Sequence, residues 1–387
     1  MTLQQKLDPS TGPKRILALD GGGIRGALSL GYLEKLEQIL KARHPHIADF
    51  RLCHYFDLIG GTSTGSIIAA ALSIGLSVAE IKEKYFALGV KIFGQKNNWW
   101  NVFEIGKMVK ANYSAVPLEK ELKNMFQDYT LGDSEHIKTG LCIVAKRADT
   151  NSVWPLINHP KGKYFDSAIG ANGKILLRDA IRASAAAPTY FLPITIDVGQ
   201  GISGAFVDGG VSMANNPSLE LLKVATLKGF PFHWEKGADK LMIISIGTGM
   251  SKLEKLPKDI EKNHQLKWAQ QIPDMLMQDA SWANQTILQW LSRSPTAKSI
   301  DGEVGDLTED LISPEPILHY LRYNVTVAAA ELEKITGKQY TTEHVTKLTD
   351  MSDAKNCAEL YEIGYAAGQK EILDSHIPAA FDLKISA

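Results

Sequence analysis

Five short apolar runs, set between longer segments of helical pattern, limit the architectures open to this chain. They are Ile16 to Leu19, Asp57 to Gly60, Leu141 to Ala145, Ala205 to Val207 and Leu241 to Ile246. Each is too short for a helix and runs on without strict polar alternation, which predicts strands buried on both faces. The stretches Ala27 to Arg43, Ser66 to Ile74, Val78 to Val90, Pro117 to Tyr129, Leu177 to Ala186 and Pro217 to Lys228 read as helices. Strands alternating with helices imply an α/β fold, a mostly parallel central sheet covered by helices on both faces. No internal repeat and no Pro/Gly linker divides the chain. One domain is therefore expected, ending in a helical C-terminal elaboration. Within that elaboration, 294–316 is rich in Ser, Pro, Gly, Asp and Glu and reads as a surface loop. Residues 319–327 read as a strand and 353–373 as a closing helix.

The second strand runs straight into Gly61-Thr62-Ser63-Thr64-Gly65, and a helical run follows at once. A serine centred in Gly-x-Ser-x-Gly between a strand and a helix has the form of a nucleophile elbow. Gly61 and Gly65 let neighbouring backbone pass close by, and the helix start directs N–H groups at developing negative charge. Ser63 is thus a candidate nucleophile for acyl transfer.

The first strand ends in Asp20-Gly21-Gly22-Gly23-Ile24-Arg25-Gly26, again ahead of a helix. Three successive glycines let several backbone N–H groups converge on one anion without Cβ obstruction. That anion is either a phosphate or the oxyanion of an ester under attack. A side chain in the loop is expected to block the approach of the substrate oxygen. The spacing Gly21-x-Gly23-x-x-Gly26 also fits a dinucleotide fingerprint. That fingerprint needs an acidic residue at the end of the next strand, where this chain places the serine elbow. No Gly-Lys-Ser/Thr follows the glycines, which disfavours a phosphate-loop NTPase.

A third strand ends in Asp208-Gly209-Gly210. A carboxylate freed by two glycines can reach a serine on a neighbouring strand end, though Asp-Gly equally serves as an ordinary turn. Together these segments resemble the patatin-like phospholipase family, in the family's order. The resemblance extends to the block from Arg182 to Phe191, to Asn215-Asn216-Pro217 and to Ile246-Gly247-Thr248-Gly249. It is close over about residues 14 to 250. It implies acyl hydrolysis of lipids by a Ser–Asp dyad with no catalytic histidine. Ser63 would be the nucleophile, Asp208 the base, and Gly21, Gly22 and Gly23 the oxyanion hole. Arg25, Gly26, Gly61, Gly65, Gly209 and Gly210 would support these motifs. Arg25 would either steady the loop, face a lipid phosphate or form an ion pair. The implied partners are a phospholipid or other acyl lipid and a peripheral membrane or micelle surface.

Two other readings stay open. An α/β-hydrolase esterase would use a histidine after the acid, and His233, His264, His319, His344 and His376 all follow Asp208. A non-enzymatic protein would hold a phosphate ligand in the glycine loop and leave Ser63 idle. A net charge of −1 gives no basic surface for nucleic acid. Cys53, Cys142 and Cys357 are scattered and form no metal-binding spacing, so no cofactor is expected. The first 14 residues lack an apolar signal segment and no run reaches about 18 apolar residues, so a cytoplasmic protein is expected. Trp99, Trp100 and Phe103 offer aromatic groups to an interface or close over a core. Trp268, Met275, Met277, Trp282 and Trp290 read as packing for a long helix in preference to an acyl channel.

Overall fold

The computed structural model describes residues 1–93, 113–188, 190–199, 201–251, 257–261 and 265–384. In chain order its strands are β1 (Lys14–Leu19), β2 (Leu58–Thr62), β3 (Gly140–Arg147), β4 (Ser152–Ile157), β5 (Ile194–Asp197) and β6 (Ser203–Asp208). They continue with β7 (Leu241–Ile246), β8 (Met250–Ser251), β9 (Ser292–Arg293), β10 (Leu318–Tyr323) and β11 (Thr326–Val327). Among the described residues a nine-stranded sheet runs in the order β5-β6-β3-β2-β1-β7-β10-β9, with β4 also on β3. From β3 to β9 every neighbouring pair is parallel, whereas β4 and β6 lie antiparallel to β3. The sheet is mostly parallel, as the apolar runs predict.

Both faces are covered, and the two-residue period of a strand shows it. Leu17, Leu19, Ile59, Ile143 and Ile244 belong to one hydrophobic cluster, while their neighbours Ile16, Ala18, Leu58, Val144 and Ile243 belong to another. On the first face the helices Gly26–Arg43 and Cys357–Glu371 touch backbone to backbone, because a Cβ on Gly364 would overlap the Leu28 carbonyl. The expected helices are present with ends shifted by a few residues.

Two features depart from the sequence reading. The edge strands β4 and β5 were not expected, and although the C-terminal region is mostly helical, as expected, its strand pairing was not. It supplies β9 and β10 to the main sheet, with β10 paired to β7 from His319 to Tyr323. The expected strand over 319–327 stops at Tyr323, and β11 pairs separately with β8.

The register of β3 builds the site. Its residues Gly140 to Val144 pair with β2, and Ala145 to Arg147 pair with β6. Its other edge is occupied by β4 from Cys142 to Arg147. A strand has only two edges, so β2 and β6 share one and meet end to end. Thr62 faces Val144 and Asp208 faces Ala145, the next residue along. The residue after Thr62 is Ser63.

Candidate active site

Ser63 sits at the junction of β2 and the helix Thr64–Ser73 with φ 54° and ψ −125°. Positive φ is costly for a serine, about 1–3 kcal/mol, and persists only where the surroundings enforce it. They do. The Ser63 N–H donates to Ser184 Oγ at 2.8 Å, and that hydroxyl donates to the Val144 carbonyl at 2.6 Å. The Ser63 carbonyl accepts from the Ser66 N–H at 2.9 Å and from Ser66 Oγ at 2.6 Å. A Cβ on Gly61 would overlap the Gly65 carbonyl, and one on Gly65 would overlap the Leu19 carbonyl. Both flanking glycines are needed for close packing.

Asp208 ends β6 and is 4% exposed. Its Oδ1 accepts from the Gly210 N–H at 2.7 Å, and the Ser63 side chain lies near enough to its carboxylate to act on its pKa. Burial pushes its pKa up to about 6, against the opposing pull of Ser63 and the Gly210 N–H. A carboxylate at that value, near a hydroxyl, suits a general base near neutral pH. Gly209 lets the turn lie on β3, since a Cβ there would overlap the Val144 carbonyl.

The glycine loop faces the serine. A Cβ on Gly21 would lie 3.2 Å from Ser63 Cβ and 2.6 Å from Asn215 Oδ1. The Gly21 N–H is already used, donating to the Asn215 carbonyl at 3.0 Å. Gly21 therefore fixes the loop, and the N–H groups of Gly22 and Gly23 have no hydrogen-bond acceptor among the described residues. The Gly23 carbonyl accepts from the Tyr85 hydroxyl at 2.5 Å, and the Ile24 N–H donates to the Met351 carbonyl at 2.9 Å. The structure changes one expectation. A side chain on Gly22 would meet Thr248 and one on Gly23 would meet the Met351 carbonyl, so it would displace the loop from behind. Gly26 meets Tyr85 in the same way. Arg25 lines the cleft, and its charge acts on Asp20.

Ser63, Asp208 and the loop lie in a cleft of about 1320 Å³. Tyr85, Leu88, Gly89 and Ile92 form one wall, at the i, i+3, i+4 and i+7 positions of the helix Val78–Phe93. From the long helix Gln265–Leu291, Ile272, Leu276, Met277 and Trp282 also line it, and for Met277 and Trp282 helix packing was the expectation. Met275 and Trp290 are exposed instead. Trp99, Trp100 and Phe103 lie outside the described residues, as does His264.

No histidine is among the described residues that line the cleft. His319 is bonded to the His376 carbonyl, His376 to the Tyr323 hydroxyl and His344 to Glu359, and His233 is exposed. Among the described residues, no group of three or more His, Cys, Asp or Glu could hold a metal ion, and no helix is long and apolar enough to cross a membrane. Sequence reasoning missed Ser184, Tyr85, Met351 and Arg322. Ser184, Asn215 and Thr248 lay inside quoted motif blocks without a role, whereas Tyr85, Arg322 and Met351 carried no local signal.

Known proteins resemble the chain at the level of family. The family model described as patatin-like phospholipase matches residues 17–222. A cGAMP-activated phospholipase of Escherichia coli (strain TW11681) is 32% identical over 243 residues, covering 60% of this chain and 62% of that protein. Patatin-like protein 4 of Arabidopsis thaliana is 29% identical over 265 residues, covering 64% and 62%. The chain thus spans just over three fifths of the length of these relatives. The crystal structure of VipD from Legionella pneumophila matches with a TM-score of 0.36 at 13% identity, over 90% of this chain and 67% of that one.

Proposed function

The chain belongs to the patatin-like phospholipase family, and on that premise we propose that it hydrolyses carboxylic ester bonds of phospholipids or related acyl lipids through Ser63 and Asp208. The observation that carries this reading is the end-to-end meeting of β2 and β6, which sets a strained serine against a buried carboxylate. Asp208 takes the Ser63 proton as Oγ attacks the ester carbonyl, and the N–H groups of Gly22 and Gly23 receive the oxyanion. The ester C–O bond breaks, the leaving alcohol takes the proton from Asp208, and an acyl-enzyme remains. Water then attacks that acyl group, Asp208 again accepting and returning the proton, and the free fatty acid departs. Protein groups, lipid and water complete the cycle.

The acyl chain is assigned to the wall from Tyr85 to Ile92. Tyr85 is bonded to the glycine loop, and Ile92 stands seven residues on, about 10 Å along the helix axis. At the cleft, Val211, Met213, Ile272 and Leu276 are exposed apolar residues, Leu276 at 62% and Met213 at 58%. Such a rim suits a peripheral lipid surface. The test is hydrolysis of a phospholipid panel read by mass spectrometry. Release of fatty acid by wild-type protein and none by Ser63→Ala is expected. Equal release by both proteins would overturn the assignment.

A further inference from the structure

Asp20 opens the glycine loop, lines the cleft together with Gly22, Gly23 and Arg322, and is only 5% exposed. Its partner comes from far along the chain. Arg322, on β10 and 3% exposed, donates Nη1 to Asp20 Oδ1 at 2.8 Å and Nη2 to Oδ2 at 2.6 Å. The same Nη1 donates to Ser245 Oγ on β7 at 2.8 Å, so the fork is held in place from a third strand. Arg322 lies well beyond residues 17–222, the segment that the family model matches.

We propose that Arg322 is a positioning residue for ester hydrolysis, aligning the glycine loop and cancelling the Asp20 charge where the oxyanion forms. This rests on the hydrolase reading above. Two independent features of the geometry support it. The planar guanidinium fits both carboxylate oxygens at once, which fixes the direction in which the chain leaves Asp20 toward the loop. An uncompensated carboxylate there would also oppose negative charge growing on the substrate oxygen, in a site where burial weakens screening.

The fold supplies its own control. Arg15 and Asp57 form a second buried pair, 2.8 Å apart, at the opposite end of β1 and β2 from Ser63. A purely structural role would make the two pairs equivalent. The experiment compares Arg322→Met, Arg322→Lys and Arg15→Met with wild type on one soluble ester, with folded fraction and melting temperature measured by circular dichroism. For Arg322→Met we expect kcat per folded molecule to fall about a hundredfold with KM within threefold. Arg322→Lys keeps the charge but cannot span both oxygens, and its kcat should fall about tenfold. Arg15→Met should melt earlier and keep wild-type kcat. Should Arg322→Met fail to fold, Arg322→Lys decides. A kcat within threefold of wild type in the most perturbed Arg322 variant that folds overturns the proposal. So does a loss carried by KM, or an equal loss in Arg15→Met. An inactive wild type would instead overturn the hydrolase reading.

Discussion

Replacing Asp208 with asparagine should make the protein more stable at neutral pH while removing its activity. The carboxyl is buried, and burial raises its pKa from the ordinary 3.8 to about 6. Its folded-state pKa thus exceeds its unfolded one, so the folded protein binds the proton more tightly. The charged form is disfavoured in the fold, and the cost is fully present above about pH 6. The difference between 3.8 and about 6, at 1.36 kcal/mol per unit, is about 3 kcal/mol. Asparagine keeps the size and can still accept from the Gly210 N–H, but it carries no charge to desolvate. Urea unfolding of Asp208→Asn and wild type should therefore differ by about 3 kcal/mol at pH 7.5 in favour of the variant. The gap should close as pH falls through 6 toward 4, where wild type takes up its proton in the fold. Equal or lower stability of the variant at pH 7.5, or a gap that widens on acidification, would refute the reasoning.

Three further outcomes are expected. Because Asp208 must be unprotonated to take the serine proton, kcat/KM should fall about tenfold per pH unit well below pH 6; a profile flat down to pH 4.5 would contradict this base. Gly23→Ala should lower kcat by about a hundredfold or more in protein that still folds, through contact with the Met351 carbonyl; the check is kcat against melting temperature, and full activity would remove the loop from the mechanism. Leu276→Glu should weaken sedimentation with phosphatidylcholine vesicles while leaving hydrolysis of a soluble short-chain ester within twofold of wild type, and unchanged sedimentation would remove the rim from the lipid surface.

Much of the fold was legible in the sequence because its central strands are buried on both faces. β1, β2, β3 and β7 are continuous apolar runs for that reason. β4 and β5 lie at edges, are partly exposed and lack such runs, and β4 also contains Pro155, which an edge strand tolerates. The candidate site was legible where chemistry is local. Ser63 and Asp208 each lie in a glycine-flanked strand end, and the structure brings them together. What holds them was not legible. Ser184, Met351 and Arg322 act through contacts across 121, 327 and 302 residues of sequence, and no short motif encodes such a separation. The Gly21 amide was expected to serve the oxyanion, but only the fold shows it engaged by the Asn215 carbonyl. The direction of a side chain at Gly23 likewise depends on Met351, far from the loop in sequence.

The central claim is that Ser63 is activated by Asp208 directly. The most direct measurement is the rate and site of labelling by a fluorophosphonate, read by intact mass and peptide mapping. Wild type should take up one adduct, on Ser63, and Ser63→Ala should take up none. Asp208→Asn, although folded, should label slower by about two orders of magnitude or more. Alanine at His233, His264, His319, His344 or His376 should leave the rate within a few fold of wild type. An adduct on another residue would contradict the account. So would wild-type labelling of Asp208→Asn, or a folded histidine variant that fails to label.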